Sequence, residues 1–439
     1  MLKYLILDNF ECLTINGTIP VNGTHDKCDG TCTEFEFFFK ENWTKETILT
    51  KFWLICGKEK NVYDFKTGTM MGLFPGVLAA GTISDRWGRK RTIIVVSIMA
   101  SVSAFLTRII TPYSVGLYIV GRILMNGCAH GASVIGFVYV MEMSSPRYRT
   151  QVGMLVCGVI FSFGVIFSSL IAWIFDSWDT MLLSMGCLHL LIIPFIPILP
   201  ESYRWYFSTG RVVKARRSLK EYSKKCGTEL SDDFLDKVVK GQTVHKEEKR
   251  VVVMIYELFK NRTTRTVVLK MFLLWMVIVM YYFALLLGDL PGSVILNNAV
   301  NGAMEGIGAL LAIMAITRKW FLRTKSIMIL LLISGVVTLG AAVFTFMYET
   351  MDHDESYRRV LLALSFFGFL TMSAVFAILF VYTGEMFPTV IRASSFAICS
   401  LGGRFGSLIA PQINKLTYWI PGLHMVVFTI LTFIGAYIW

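Results

Sequence analysis

The chain predicts an all-α, polytopic membrane protein, and three observations carry that prediction. Of its 439 residues, 55% are hydrophobic and only 16% are charged, whereas a soluble domain carries about 25% charge. Apolar runs of about 20 residues, each able to cross a hydrocarbon core of roughly 30 Å, recur along the length. Lys and Arg gather in alternate segments between those runs, as topology demands of a multi-span protein. Mean hydropathy is +0.60. The net charge of +12 is therefore topological. No basic stripe is interleaved with stacking aromatics and no zinc-knuckle spacing occurs, so nucleic acid is not expected as a partner.

The polar segment 1–61 comes first. It holds Cys12, Cys28, Cys32 and Cys56 beside three glycosylation acceptors, Asn16, Asn22 and Asn42, each followed two residues later by Thr. An even cysteine set among sequons reads as an extracellular, oxidising segment with disulfide candidates whose pairing the sequence leaves open. A fourth sequon, at Asn261, falls in a basic loop and is expected to stay unmodified.

Eleven spans follow, near 62–83, 92–110, 114–141, 152–174, 181–199, 266–287, 293–316, 326–347, 360–384, 393–416 and 421–439. The segments 85–91, 142–149, 201–265, 318–325 and 385–392 are basic, while 176–179, Asp289, 349–355 and 414–418 alternate with them. Basic loops in the cytoplasm and sequons outside satisfy the charge rule and the glycosylation signal together. The expected organisation is an N-terminal bundle (62–199), a cytoplasmic linker (200–265) with amphipathic surface helices such as 211–226, and a C-terminal bundle (266–439). The opening MLKYLILDNF is too short to span and lacks a signal-peptide layout. An extracellular segment needs a helix before it, so a missing first helix is expected.

The loop after the first span reads Gly81-Thr-Ile-Ser-Asp85-Arg86-Trp-Gly88-Arg89-Lys-Arg91. Gly81 and Gly88 permit close helix approach and a tight turn, and Asp85 offers a carboxylate to a helix N-terminus or an arginine. This stretch resembles the signature loop of the major facilitator superfamily, where it latches the cytoplasmic side shut in one state of the cycle. Further residues extend the resemblance. Gly121-Arg122 opens the third span, and Glu142 with Arg149 is matched in the second half by Glu385 with Arg392, an internal duplication. The heptad Pro200-Glu201-Ser202-Tyr203-Arg204-Trp205-Tyr206 is similar to a signature of sugar porters and organic-ion transporters, with Tyr203 in place of the usual Pro. The cysteine- and sequon-bearing segment, Tyr281-Tyr282, the turn Leu287–Gly292 and Arg404-Phe-Gly406 through Pro411 resemble the organic cation/anion/carnitine branch. The resemblance implies two pseudo-symmetric bundles and alternating access at the plasma membrane. Asp85, Arg86, Gly88, Arg89, Arg91, Arg122, Glu142, Arg149, Glu385 and Arg392 would serve the gate.

Arg404 and Glu305 lie inside apolar runs, where a charge costs about 2.5–3.5 kcal/mol on insertion scales. In the resembled family a basic residue at the Arg404 position marks anion and carnitine transporters, and an acid at the Glu305 position marks cation and carnitine transporters. The combination is most similar to the carnitine-type pattern, one group for a carboxylate and one for an ammonium, so the resemblance implies an organic anion or carnitine-like zwitterion in preference to a simple organic cation. An arginine fork suits a carboxylate, and Tyr281, Tyr282 or Trp275 could face an organic cation. Two plainer readings stand beside this: the two charges pair with each other, or Gly402 and Gly406 reserve that helix for packing. His130 reads as a hydrogen-bonded packing residue. No phosphate-binding loop, HExxH, GxSxG or metal-ligating cluster occurs in a span, so neither an ATP-driven pump, an enzyme, a cofactor nor a metal is expected. The alternatives are a non-transporting membrane protein of the same fold, or a sugar porter.

Overall fold

A computed structural model of the chain describes residues 7–14, 17–21, 34–39, 51–52, 61–111, 114–145, 148–175, 177–228, 230–231, 234, 260–287, 290–317, 323–350, 354–387 and 392–438. Asn16, Asn22, Asn42, Cys28, Cys32 and Cys56 lie outside the described residues. The side chains of Cys12, Glu385 and Arg392 do as well.

Every expected span is helical. The first is broken into α1 (Asn61–Met70) and α2 (Leu73–Trp87). There follow α3 (Arg89–Ile110), α4 (Val115–Met143), α5 (Arg149–Met154) and α6 (Phe161–Ile174). A π turn, Leu155–Ile160, joins α5 to α6 in one continuous span. The first bundle ends with α7 (Trp178–Ile192) and the 3-10 turn Ile193–Ile198. Two short helices, α8 (Tyr203–Ser208) and α9 (Val212–Lys225), occupy the linker. The second bundle comprises α10 (Arg262–Leu287), α11 (Val294–Thr317), α12 (Arg323–Thr350), α13 (Glu355–Met386), α14 (Arg392–Asn414) and α15 (Leu423–Ile438). Among the described residues, eight helical stretches are long and apolar enough to cross a membrane. The kinked α1–α2, the more polar α14 and the shorter α15 complete the expected set.

The helical ends follow ordinary capping chemistry. Ser114 opens α4 by accepting from Gly116 N, and Asp354 opens α13 by accepting from Ser356 N. Asn261, the sequon set aside above, caps the start of α10 by accepting from Thr263 N at 3.0 Å. These side chains satisfy amides that a helix cannot bond internally.

The polar segment contains something the sequence reading did not foresee. Three strands, β1 (Leu7–Thr14), β2 (Gly17–Val21) and β3 (Glu34–Phe39), form an antiparallel sheet in the order β2-β1-β3. Cys12 stands opposite Ile19 on one neighbour and Phe35 on the other. The polar–apolar alternation of Glu34-Phe35-Glu36-Phe37 is the period-two signal of a strand, hidden there by the sequons and cysteines around it. The all-α membrane body is thus preceded by a small sheet.

The second bundle holds the main buried core, where Met271, Trp275, Ile278, Tyr282, Phe369, Val375 and Ile378 pack together. Gly402 and Gly406 bring α14 against α10. A Cβ on Gly402 would stand 2.1 Å from the Phe272 carbonyl oxygen, and one on Gly406 2.3 Å from that of Met276. The expected packing role of this glycine pair is real, and it leaves Arg404, between them in sequence, on a different face.

Candidate substrate site and gates

Glu305 lies about 16 Å along α11, counting 1.5 Å per residue from Val294, and Arg404 about 18 Å along α14 from the opposite side. Both therefore sit near the middle of a roughly 30 Å core. Glu305 shares a helix face with Asn298, Gly302 and Ala309, the residues through which α11 meets the first bundle. Asn298 Nδ2 donates to Ser169 Oγ of α6 at 2.7 Å. A Cβ on Gly302 would lie 2.9 Å from Ile166, and Ala309 closes against Gly158 of the π turn.

Glu305 is 1% exposed. Its Oε1 accepts from Tyr282 Oη at 2.8 Å, while Oε2 is buried and has no donor among the described residues. Its carbonyl accepts from Ser373 Oγ at 2.9 Å, fixing α11 to α13. The Tyr282 ring stacks on Phe376 with centroids 5.7 Å apart, and Phe376 also meets Trp275, about two turns back along α10, at 5.9 Å. Trp275 Nε1 donates to Thr383 Oγ1 at 3.0 Å, and its ring also contacts Phe380 and Phe396. Phe380 in turn touches Phe137 of α4 at 5.7 Å, so this aromatic group reaches the boundary between the bundles.

The adjacent tyrosines part company. Tyr281 points into the second bundle, where its hydroxyl bonds Thr338 of α12 and its ring lies 5.8 Å from Phe428 of α15. Successive helical residues are about 100° apart, so only Tyr282 can reach Glu305. The expectation that Tyr281 lines the site is corrected: it is a packing residue.

Arg404 is half-buried, and no ion pair joins it to Glu305. The plain reading in which the two intramembrane charges neutralise each other is therefore not what the structure holds. Arg122 on α4 has one polar contact, Nη1 to the Met125 sulfur at 3.7 Å, and its buried Nε has no acceptor among the described residues.

At the basic-loop end, the signature loop forms a compact network. Gly88 adopts φ +100, a conformation other residues rarely take, and so ends α2 and starts α3 in one residue. Gly81, expected to permit a close approach, has open space beside it. Arg89 grips Glu142 with Nη2 at 2.9 Å and Nε at 3.2 Å, and reaches Asp85 at 2.7 Å. Gly88 has no side chain to cap α3, and Glu201 supplies the carboxylate from 112 residues away, accepting from Arg89 N at 3.0 Å. It also takes Lys90 N and Ser202 N at 3.2 and 3.1 Å. Trp205 Nε1 donates to the Asp85 carbonyl at 2.9 Å, and Arg211 lies 5.2 Å over the Trp205 ring. Arg86 and Arg91 are exposed, and Arg149 opens α5. The Asp85 side chain is 73% exposed and is bonded within its own bundle.

The opposite end carries bonds between bundles that sequence reasoning missed. Asp64 of α1 accepts from Lys415 Nζ at 2.8 Å and from Gln412 Nε2 at 3.0 Å. Gln412 also donates to Thr67 Oγ1 at 2.9 Å, and Tyr63 meets Tyr418 edge-on at 5.8 Å. An acid at the head of an apolar run, and Lys415 four residues after Pro411, were the available signals. Nothing in a single sequence pairs positions 351 residues apart.

A family model for sugar (and other) transporters matches residues 37–438. The chain belongs to this family, within the major facilitator superfamily. An organic cation transporter-like protein of Drosophila melanogaster is 24% identical over 93% of this chain and 71% of its own length. Solute carrier family 22 member 15 of Xenopus tropicalis is 27% identical, over 94% and 76%. The human organic cation/carnitine transporter 2 is 25% identical, over 90% and 69%. The proton:xylose symporter XylE bound to 6-bromo-6-deoxy-D-glucose superposes with a TM-score of 0.66 at 17% identity, over 87% of this chain and 85% of that one. That likeness shows the fold alone. The relatives are transporters, not enzymes, and their names favour organic ions over sugars. The chain is thus a multi-pass membrane transporter of the major facilitator fold.

Proposed function

We propose that the protein moves a small organic ion bearing a carboxylate, either an organic anion or a carnitine-like zwitterion, across the plasma membrane by alternating access. One observation carries this reading: two opposite charges stand at mid-depth and do not neutralise each other. Among the described residues Glu305 keeps an orphan oxygen, which an ammonium group would satisfy, and Arg404 keeps a guanidinium in no ion pair, open to a carboxylate. Tyr282, Phe376 and Trp275 supply aromatic surface beside the acid, suited to an organic cation.

The basic-loop end is taken as cytoplasmic and the sequon-bearing segment as extracellular, with Cys12, Cys28, Cys32 and Cys56 as its disulfide candidates. In that orientation the outer ends of the bundles are tied through Asp64, Gln412 and Lys415, while Asp85 at the inner end is exposed. This is the arrangement of an inward-facing state. Arg89, Glu142 and Glu201 hold the inner loop of one bundle ready to engage the other, where Glu385 and Arg392 would complete the latch. Arg122 is a positioning or gating residue of the first bundle.

Uptake of radiolabelled carnitine, a hydrophobic carboxylate, tetraethylammonium and a hexose, in cells expressing the chain at their surface, tests the substrate class. Saturable uptake of carnitine or the carboxylate is expected. Uptake confined to tetraethylammonium or to the hexose contradicts the proposal.

A further inference from the structure

The gate described above does not use the outer face of α9. One side of that helix is committed to the first bundle. Ala215, Ser218 and Ser223 are buried, Tyr222 Oη donates to the Met143 carbonyl at 3.0 Å, and Ser218 bonds the Glu201 carbonyl. The other side presents Lys214, Arg217 and Lys224, all exposed. Their spacing of three and seven residues puts them on one helical stripe. Glu221 is the sole acid of α9, and it is tied to Lys225 at 3.3 Å.

The position of this stripe decides what it meets. Lys225 Nζ bonds the carbonyl of Ile198, at the end of the 3-10 turn that finishes α7. Around that carbonyl, Phe195 is 68%, Ile198 63% and Leu199 48% exposed. Large apolar side chains left bare at the end of a span face lipid, so α9 ends where hydrocarbon gives way to headgroups. Trp87, 53% exposed between Arg86 and Arg91, belongs to the same basic-loop end, where interfacial tryptophans collect. The stripe itself offers a single exposed apolar side chain, Val213. A protein partner would need more apolar anchorage than that.

We propose that Lys214, Arg217 and Lys224 form a binding surface for anionic phospholipid headgroups of the adjacent leaflet. Basic clusters on an amphipathic helix beside a span attract such headgroups by simple charge complementarity. The lipid would act on the gate as well, because α9 is bonded to the carbonyl of Glu201, whose carboxylate caps α3 at Arg89. This inference does not depend on the substrate class proposed above.

The test is native mass spectrometry of the purified full chain, offered phosphatidylserine and phosphatidylcholine at equal mole fraction. The wild type is expected to retain phosphatidylserine preferentially, and raising salt from about 0.15 to 0.5 M should erode that preference by screening. The triple variant K214Q/R217Q/K224Q should lose at least about tenfold of it, with its melting temperature in neutral detergent unchanged. Should the triple variant fail to fold, R217Q alone must still weaken the preference. Equal retention of the two lipids by the wild type overturns the proposal and leaves the stripe to an acidic protein. A preference that neither salt nor the variants reduce overturns it as well.

Discussion

Glu305 is the residue with the sharpest consequence. A buried carboxylate with one oxygen bonded by Tyr282 and the other bare is an incomplete arrangement, because an unsatisfied buried charged group costs more than the roughly 1–3 kcal/mol of a neutral one. Glu305→Gln keeps the acceptor that Tyr282 needs and removes the charge. Surface expression should therefore persist, while affinity for a zwitterion falls tenfold or more and affinity for a simple carboxylate changes little. Concentration-dependent uptake of both compounds by the variant checks this. Tyr282→Phe removes one charge-assisted hydrogen bond worth about 1.5–3 kcal/mol, so it should weaken zwitterion uptake with the ring stacking intact. Tyr281→Phe should leave substrate affinity unchanged and lower only the melting temperature, since its hydroxyl serves Thr338. Arg404 and Glu305 were legible in the sequence because intramembrane charge is rare. The division of labour between Tyr281 and Tyr282 was not, since neighbouring side chains on a helix differ only in direction.

At the scale of elements, the spans were readable almost to their ends because twenty apolar residues have few other uses. What escaped is the joining of distant elements. The Glu201 carboxylate completes the α3 terminus, and Asp64 ties α1 to the turn after α14. Both depend on tertiary placement that no local period encodes. The small sheet was missed for a different reason, since short strands in a cysteine-bearing segment look like loop. The Asp64–Lys415 pair is half exposed, at 50% and 31%, so it contributes at most about 1 kcal/mol. A weak latch suits a contact that must open every cycle. Asp64→Asn should shift the balance toward the outward-open state by no more than about fivefold, read as increased labelling of a cavity cysteine by an impermeant reagent from the sequon side. Gly402→Ala is a different kind of change. Its Cβ would meet the Phe272 carbonyl oxygen at 2.1 Å, forcing α14 off α10 at a cost of about 1–3 kcal/mol, and thermal unfolding of the purified variant should show the loss.

For the whole molecule, the structure joins two bundles through bonds at one end and leaves a signature carboxylate exposed at the other. Between them lie one acid and one guanidinium, on different helices of the second bundle, that form no ion pair among the described residues. Loop charge and the sequons point to one orientation in the sequence. Substrate chemistry was legible only as a pair of charges, since shape and size depend on how the bundles close around them. The most direct measurement crosses substrate with charge: uptake of carnitine, a hydrophobic carboxylate and tetraethylammonium by the wild type, Arg404→Ala and Glu305→Gln at matched surface expression. Loss of both carboxylate-bearing substrates in Arg404→Ala, with loss of carnitine alone in Glu305→Gln, is the predicted result. Wild-type uptake of carnitine or the carboxylate that Arg404→Ala leaves unchanged would contradict the account.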